Sequence, residues 1–268
     1  MKESATATET LKPPLKWAGG KRWQVPHLRP YWERYKHCRL IEPFCGGLGV
    51  AFGLRPQEAL LNDINPHLIN FYRWLKKGLR CRITMKNEER LFYAHRKRFN
   101  ALTHGMKSRT LEAASLFYYL NRTGYNGLCR FNSTGEFNVP FGRYKTIPYV
   151  SNFLNYRKVV GGWEFKSGDF SRLELSDTDF VYADPPYDVE FTTYAKDGFT
   201  WDDQVRTAEW LVQHPGPVIL VNQETPRIKT LYRRLGFRLR HLDAPRRISS
   251  SGDRTPAREV FATRNIKL

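Results

Sequence analysis

Five short apolar runs, each bounded by turn residues, constrain the fold of this chain more than any other feature of its sequence. They span residues 39–45, 59–63, 179–184, 217–222 and 259–263. Each run has the length and the β-branched or aromatic content of a strand. Segments with apolar residues at helical spacing lie between them, at residues 66–78, 202–214 and 226–236. Strands that alternate with helices predict an α/β fold with a mostly parallel, doubly wound sheet, which binds ligands at the carboxyl ends of its strands.

The middle of the chain breaks this alternation. A long helical pattern is followed there by a segment rich in glycine, asparagine and aromatic residues. Apolar stretches on either side of the turn-forming "NSTG" at residues 132–135 predict a β-hairpin over about residues 123–145. We therefore predict a main domain formed by residues 1–66 and 151–268, with an insert of residues 67–150.

The chain is strongly basic, with 44 Lys and Arg against 26 Asp and Glu and a formal net charge of +18. This charge favours a polyanionic partner such as nucleic acid, although a merely basic surface would give the same composition. No apolar run approaches the roughly 20 residues that a membrane-spanning helix needs. The polar first ten residues predict a loose tail and not a signal peptide.

Four scattered cysteines contain no CxxC pair, and the sequence therefore predicts neither a disulfide nor a metal site. The four are Cys38, Cys45, Cys81 and Cys129. Cysteines of this kind are typical of a reducing setting, so we expect a cytoplasmic protein.

The segment "VYADPPYD" at residues 181–188 ends an apolar strand on a carboxylate and then fixes the backbone with two prolines. Proline sets φ and lacks an N–H donor, so Asp184, Pro185 and Pro186 cannot continue a helix or a central strand. One interpretation is a strand end that simply turns. The other is a rigid shelf that holds a carboxylate, two carbonyl groups and the ring of Tyr187 in a fixed relation.

Such a shelf suits methyl transfer to the exocyclic amine of adenine. The nitrogen lone pair of that amine is delocalised into the ring, so the amine is a poor nucleophile. Hydrogen-bond acceptors placed against both N–H bonds, such as the Asp184 carboxylate and a proline carbonyl, help to localise the lone pair toward a methyl donor. Preorganised groups of this kind contribute about 3 kcal/mol each. Tyr187 offers a face on which a base flipped out of a duplex could stack.

The segment "IEPFCGGLG" at Ile41–Gly49 has the pattern of a strand followed by a glycine-rich turn. Alone it is a weak signal, because it lacks the GxGxxG spacing of dinucleotide-binding folds. The next run, however, ends on Asp63, where a carboxylate can accept hydrogen bonds from both ribose hydroxyls of an adenosine-containing ligand. The alternative role of Asp63 is an N-cap for the helix that begins after Pro66.

The N-terminal segment "LKWAGGKRW" places Trp17 beside two glycines and between Lys16 and Lys21. A tryptophan ring attracts cations, and S-adenosylmethionine carries a sulfonium ion. The alternative is that Trp17 is an ordinary core residue.

These segments together resemble the Dam-type DNA adenine-N6 methyltransferases, which are the enterobacterial and phage members of the alpha group of amino-methyltransferases and modify GATC. The resemblance is carried by "LKWAGGK", "EPFCGGLG", "NDIN", "YLNRTGYNGLCRFN", "GEFNVPFGRYK", "DPPY" and the late "RRISSSG". It covers nearly the whole chain. It implies a Rossmann-like sheet of the S-adenosylmethionine-dependent methyltransferase type, with the insert as the target-recognition domain. It also implies a monomeric enzyme that acts on double-stranded DNA.

The resemblance implies two sets of residues around the reaction. The catalytic set is the DPPY segment itself: Asp184, Pro185, Pro186 and Tyr187. The residues implied to bind S-adenosylmethionine are Trp17, Lys21, Glu42, Phe44, Gly46, Asp63, Asp169, Phe170 and Asp184.

The resemblance also implies how the insert reads DNA. Tyr125 would enter the duplex as a wedge, with Asn126 beside it. Leu128 and Pro140 would meet a thymine methyl group. Arg130 would read a guanine, and such a bidentate contact discriminates between bases by roughly 1–3 kcal/mol.

Three further residues match DNA contacts of the family: Lys16 and Tyr144 for the first guanine, and Arg143 for a phosphate. The basic region from Arg233 to Arg264 would add phosphate contacts, unless it is an ordinary solvated face. The chain departs from the family pattern at Cys45, where a double glycine follows, and in a shorter loop after DPPY.

Three alternatives stay open from the sequence alone. The first keeps the chemistry at another adenine-containing site. The second is a DNA-binding protein that has lost methyl transfer, although its DPPY segment is intact. The third is a methyltransferase that acts on RNA or protein, which the matched insert disfavours.

Overall fold

A computed structural model of the protein describes residues 11–105, 107–188, 198–245 and 257–267. A seven-stranded sheet forms the centre of this described part. Its strands are β1 (Leu40–Glu42), β2 (Ala59–Asp63), β3 (Trp163–Ser167), β4 (Phe180–Ala183), β5 (Val218–Gln223), β6 (Arg238–Ala244) and β7 (Ala257–Arg264). All five apolar runs form strands, as predicted. The "RRISSSG" segment and residues 189–197 of the loop after DPPY lie outside the described residues.

The strand order is β3-β2-β1-β4-β5-β7-β6. The first five strands of this order run parallel, while β7 is antiparallel to both β5 and β6. The mostly parallel sheet expected from the sequence is therefore confirmed. The chain winds outward from β1 to β2 and β3, and then returns to β4 on the other side of β1. This reversal opens a crevice at the carboxyl ends of β1 and β4, where doubly wound sheets bind their ligands.

Eight helices surround the sheet in the described part of the chain. They are α1 (Val25–Tyr35), α2 (Gly49–Leu54), α3 (Pro66–Lys76), α4 (Glu89–His104), α5 (Leu111–Thr123), α6 (Leu154–Val160), α7 (Trp201–Val212) and α8 (Pro226–Arg234). Short 3₁₀ turns lie at Lys21–Gln24, Tyr125–Gly127 and Phe170–Arg172. None of these helices has both the length and the apolar character needed to cross a membrane.

The central strands bury side chains on both faces of the sheet, which explains their nearly continuous apolar sequences. On β5, Ile219 and Val221 belong to the same apolar cluster as α3 and α5. Their neighbours Val218 and Leu220 pack in a second cluster with α7 and α8. Alternate residues of one strand therefore hold the two helical layers against opposite faces of the sheet.

Helix α3 packs both on the sheet and on the helices of the proposed insert. Its Arg73 donates to the carbonyl of Phe165 on β3. On the other side, the rings of Phe71 and Tyr118 stack with centroids 5.9 Å apart, which joins α3 to α5. The insert that we propose for residues 67–150 is thus anchored to the sheet through its first helix.

The segment predicted as a β-hairpin folds back on itself, with its turn at the predicted place. Asn132 Oδ1 accepts hydrogen bonds from the backbone N–H groups of Thr134 and Glu136. The two arms pair through isolated antiparallel bridges, at Phe131–Phe137 and further down at Gly124–Phe141, and not through continuous strands. Two local features interrupt the ladder: the 3₁₀ turn that begins at Tyr125, and Pro140, which has no N–H to donate.

Helix α5 begins at a side-chain cap that offers a clean test of the fold. Thr110 accepts a hydrogen bond from the backbone N–H of Ala113. We expect Thr110→Ala to lower the free energy of unfolding by about 1 kcal/mol, and Thr110→Ser to retain most of that contribution. Urea denaturation followed by circular dichroism measures both variants. An equal loss in alanine and serine would show that the hydroxyl does not cap α5.

Candidate active site

The crevice at the carboxyl ends of β1, β2 and β4 contains a cavity of about 400 Å³. Most of the residues that the sequence predicted for catalysis and cofactor binding line it, together with several that it did not predict. The lining residues are Trp17, Ala18, Gly19, Gly20, Lys21, Glu42, Phe44, Cys45, Gly46, Gly47, Gly49, Val50, Asp63, Ile64, Tyr182, Asp184, Pro185, Pro186 and Tyr187.

Trp17 packs over the glycine-rich turn after β1. A Cβ atom added to Gly46 would lie 2.8 Å from Trp17 Nε1, and one added to Gly47 would lie 2.5 Å from Trp17 Cβ. Gly46 also has a positive φ of 43°. The two glycines thus bring the tryptophan against bare backbone. The hydroxyl of Tyr72 on α3 donates to the carbonyl of Gly46 over 2.6 Å and holds the turn from the other side.

Asp63 lies at the end of β2 and holds the same turn. Its Oδ2 accepts from the backbone N–H of Gly46 over 3.1 Å, and its Oδ1 accepts from the backbone N–H of Asn65 over 2.9 Å. Burial raises the pKa of Asp63, and the two hydrogen bonds oppose that rise. The helix cap is Asn65 and not Asp63, because the Asn65 side chain accepts from the first N–H groups of α3. The carboxylate of Asp63 therefore remains at the cavity wall.

Asp184 forms a nearly buried ion pair with Lys21. Lys21 Nζ lies 3.2 Å from Asp184 Oδ1, with the two side chains 7% and 20% exposed. The same ammonium donates to the carbonyl of Gly19 over 3.0 Å and lies 4.2 Å from the centre of the Tyr187 ring. Burial raises the pKa of Asp184 to about 6, against the lowering effect of Lys21. Lys21 thus gathers the carboxylate and the aromatic ring of the DPPY segment around one positive charge.

Glu42 brings a second buried carboxyl group to the cavity from the end of β1. It is only 3% exposed, and its Oε1 atom has no hydrogen-bond partner among the described residues. Burial raises the pKa of Glu42 well above its usual range. An unpaired polar atom in a buried wall is costly, so a ligand group that donates a hydrogen bond would be stabilised there.

A chain of buried amides fixes the second proline of DPPY. Gln204 Nε2 donates to the carbonyl of Pro186 over 2.7 Å, and Gln204 Oε1 accepts from Asn222 Nδ2 over 2.9 Å. Asn222 Oδ1 in turn accepts from the backbone N–H of Asp188 over 3.1 Å. Because Gln204 binds the Pro186 carbonyl, we take Pro185 as the proline whose carbonyl serves a substrate.

Asp169 and Phe170 do not line the cavity. The Asp169 carboxylate caps the short turn that follows it and accepts hydrogen bonds from both terminal nitrogens of the Arg206 guanidinium group, at 2.8 and 2.9 Å. That pairing holds the pKa of Asp169 well below its usual range. Phe170 is buried against the ring of Phe44, which does line the cavity, with ring centroids 5.2 Å apart. A direct role of Asp169 or Phe170 in cofactor binding stays a prediction.

Lys16 connects the cavity to the proposed DNA-reading segment. Its ammonium lies 3.5 Å from the centre of the Tyr144 ring and donates to the carbonyl of Arg122. Its backbone N–H and C=O both bond the side chain of Asn121 on α5, over 2.9 and 2.8 Å. Burial lowers the pKa of Lys16, and nearby Arg122 adds to that effect. The structure thus brings together Lys16 and Tyr144, which were predicted to read the same base.

The other predicted DNA contacts lie along the folded-back segment. Tyr125 is 50% exposed. Asn126 and Arg143 are also exposed, and both adopt a left-handed backbone conformation, with φ of 51° and 49°. Arg130 is exposed and donates to Asn138 Oδ1 over 2.7 Å, which orients its guanidinium group. Pro140 is exposed and Leu128 is half-buried.

Several residues of the site escaped the sequence analysis. Ile64 lies in the cavity wall and is 73% exposed, and its signal was an apolar residue directly after the strand-ending Asp63. Tyr182 lines the cavity from β4 but looks like an ordinary core residue in the sequence. Glu259 lies 3.9 Å from Lys21 Nζ, and nothing in its local sequence distinguishes it from other strand residues.

Comparisons with known proteins agree on one family. A family sequence model described as "D12 class N6 adenine-specific DNA methyltransferase" matches residues 17–248. The type II methyltransferase M1.LlaDCHI of Lactococcus lactis subsp. cremoris is 34% identical over an alignment 278 residues long, gaps included, which covers 94% of this chain and 95% of that protein. The retron Ec67 DNA adenine methylase of Escherichia coli is 36% identical over 266 residues, with 92% and 90% covered. The DNA adenine methylase of Escherichia coli K12 is 34% identical over 259 residues, with 89% of each chain covered.

Similarity to solved structures is weaker. Two structures described as methyltransferases, from Pyrococcus horikoshii and Listeria monocytogenes, cover 97% and 94% of this chain and 92% and 62% of their own chains. Their TM-scores are 0.45 and 0.43, at 9% and 10% identity. We draw no conclusion about the function of this chain from similarity at this level.

The Lys21–Asp184 pair predicts a measurable titration. Because the ammonium lowers the pKa of Asp184, we expect Lys21→Met to raise that pKa above its value of about 6, by about one unit or more. Carbonyl-¹³C NMR of aspartate-labelled protein measures it, with the Asp184 signal assigned through Asp184→Asn. Lys166→Met, on β3 and beside Glu164, is the matched control and should leave the signal unmoved. An unchanged or lower pKa in Lys21→Met would contradict the pairing.

Proposed function

Because this chain belongs to the D12 class of N6 adenine-specific DNA methyltransferases, we propose that it methylates N6 of adenine within GATC in double-stranded DNA. The family uses S-adenosylmethionine, and the donor site that we propose is the cavity at the ends of β1, β2 and β4. The observation that carries the proposal is the Asp184–Lys21 pair beside Pro185 in that cavity.

The polar groups of the cavity fit S-adenosylmethionine. We propose that the Asp63 carboxylate accepts the ribose hydroxyls and that the exposed Ile64 side chain covers the adenine. Glu42 Oε1, which is buried without a partner among the described residues, suits an ammonium or hydroxyl donor of the ligand. The Trp17 ring beside Gly46 offers its face to a cation. When bound, S-adenosylmethionine supplies a methyl group whose bond to a positive sulfur breaks with the electron pair left on sulfur.

Asp184 and Pro185 would act on the target amine. We propose that the carboxylate and the Pro185 carbonyl each accept one N–H of adenine N6. The nitrogen lone pair then forms the bond to the methyl carbon, and N6 loses one proton to Asp184 and through it to water. The Gln204–Asn222 amide chain fixes the backbone of this segment before the substrate arrives. Preorganised acceptors need no rearrangement during the reaction, which is the physical basis of their effect.

A duplex base can reach this cavity only if it leaves the stack. We propose that Tyr187 stacks on the flipped adenine, and that Tyr125 fills the space which the base leaves. Two observations support this arrangement: the Tyr187 ring lies in the cavity wall, and the Tyr125 ring is 50% exposed on the folded-back segment. Stacking on an aromatic ring offsets part of the few kcal/mol, roughly, that flipping costs.

The proposed GATC specificity depends on the reading residues of the insert. Lys16 and Tyr144 lie together, as a shared contact to one guanine requires. Arg130 is held by Asn138 at an exposed position, which suits a bidentate contact to a second guanine. Leu128 and Pro140 offer apolar surface for a thymine methyl group, and Asn126 and Arg143 extend the contact surface.

Transfer of labelled methyl from S-adenosylmethionine to short duplexes tests the proposal. One duplex contains GATC, and the others contain its single-base variants. We expect label on GATC alone, and a loss of at least about a hundredfold in Asp184→Asn, which removes the charge and keeps the shape. Label on a variant duplex would support adenine methylation but contradict the proposed GATC specificity. DNA binding without label would favour a protein that has lost methyl transfer.

Arg130 gives a second test, of base reading. We expect Arg130→Ala to relax the choice at one base pair by about 1–3 kcal/mol, which corresponds to roughly fivefold to 150-fold in relative rate. Non-specific binding should change little. Arg157→Ala, at an exposed position on α6, is the matched control. If the Arg130 variant were weaker on all sequences alike, Arg130 would contact only phosphate.

A further inference from the structure

A buried acidic residue from the end of the chain reaches the candidate active site. Glu259 lies on β7, is only 4% exposed and pairs in register with Gln223 of β5. Its Oε2 accepts a hydrogen bond from Gln24 Nε2 over 2.6 Å, and its Oε1 lies 3.9 Å from Lys21 Nζ. A buried carboxylate is costly unless it is paired and hydrogen-bonded, and Glu259 has both kinds of partner.

Glu259 is tied to the DPPY strand as well as to the N-terminal arm. Gln24, which it holds, accepts a hydrogen bond from the hydroxyl of Tyr182 over 2.7 Å. Tyr182 lies two residues before Asp184 and lines the cavity. One carboxylate thus fixes Lys21 directly and the strand beneath Asp184 through Gln24.

The Lys21 ammonium is shared between two carboxylates. It lies 3.2 Å from Asp184 and 3.9 Å from Glu259. Among the described residues, the other titratable groups that interact with Asp184 include the carboxyl group of Glu42, from β1, and the hydroxyls of Tyr182, Tyr187 and Tyr232. Because a single positive charge serves two negative ones, Asp184 keeps part of its capacity to accept hydrogen bonds from a substrate.

We propose that Glu259 is a positioning residue for methyl transfer: it holds Lys21 between β4 and β7 and prevents that ammonium from closing fully onto Asp184. The role in transfer rests on the function proposed above. Glu259 acts through Lys21 and Gln24 and need not touch the substrate. Its negative charge also raises the pKa of Asp184, in the direction opposite to Lys21.

Glu259→Gln tests this role, because glutamine keeps the shape and can still accept from Gln24. Without the negative charge, the pKa of Asp184 should fall below its value of about 6, by about half a unit to one unit. Carbonyl-¹³C NMR of the protein without ligands measures this shift. Glu164→Gln on β3, at the far edge of the sheet, is the charge-matched control and should not move the signal. A merely structural role would lower thermal stability without shifting the titration.

The pH profile of transfer separates this inference from the proposed function. The single-turnover rate is measured against pH with saturating S-adenosylmethionine. In Glu259→Gln, the acidic limb of this profile should shift to lower pH by the same amount as the pKa of Asp184, and the plateau rate should be lower. If the NMR titration shifts but the rate profile does not, Glu259 does influence the pKa of Asp184. Asp184 is then not the group that accepts the N–H of the substrate. An unshifted titration would overturn the role of Glu259, whatever the activity.

A second pair of variants tests the proposal if Glu259→Gln alone does not fold. Lys21→Met leaves the Asp184 and Glu259 carboxylates facing each other, whereas Lys21→Met with Glu259→Gln removes the repulsion of Glu259 and keeps only the carboxylate of Asp184 from this group of three. The double variant should therefore titrate Asp184 at lower pH than Lys21→Met alone. Equal titration in these two variants would overturn the proposal.

Discussion

The pair formed by the Lys21 ammonium and the Asp184 carboxylate is the interaction on which the site depends. Lys21 comes from the N-terminal arm and Asp184 from the end of β4, and both are largely withdrawn from solvent. Removing one partner from such a pair leaves a buried charge uncompensated, which costs roughly 3–5 kcal/mol. The arm is therefore held in place by the same contact that keeps a carboxylate at the end of the strand. The position of the arm and the proposed methyl transfer therefore depend on the same ion pair.

Neutral hydrogen bonds give the DPPY segment its rigidity. Ion pairs tolerate a range of distances, whereas the chain from Pro186 through Gln204 to Asn222 sets the backbone by directional bonds of 2.7 and 2.9 Å. These amides lie on α7 and β5. The Lys21 charge and this fixed chain of amides both hold the segment that contains the two consecutive prolines. The prolines lack donors, and Gln204 binds the carbonyl group of Pro186, which leaves the carbonyl of Pro185 for the substrate contact proposed above.

Much of the fold could be predicted because its core strands are buried on both faces. β1, β2, β4, β5 and β7 have apolar runs that local sequence reveals. β6 escaped prediction because only Leu242 and Ala244 are buried, and four of its other five positions hold arginine, histidine or aspartate. Prediction of the site residues is limited in the same way, by what the local sequence reveals. Asp63 and Asp184 end predicted strands and were found, whereas Glu259 depends on a contact with Gln24, 235 residues earlier in the chain. No local pattern encodes a partner at that distance.

The N-terminal arm joins the two halves of the proposed reaction through consecutive residues. The backbone of Lys16 is fixed by Asn121 on α5, and its side chain lies over Tyr144. The next residue, Trp17, covers the glycine turn of the proposed donor site. Lys16 and Trp17 share one planar peptide bond, so a displacement of the Lys16 backbone moves Trp17 unless the neighbouring φ and ψ angles absorb it. Through Asn121 and Lys16, the proposed insert thus helps to support the proposed donor site.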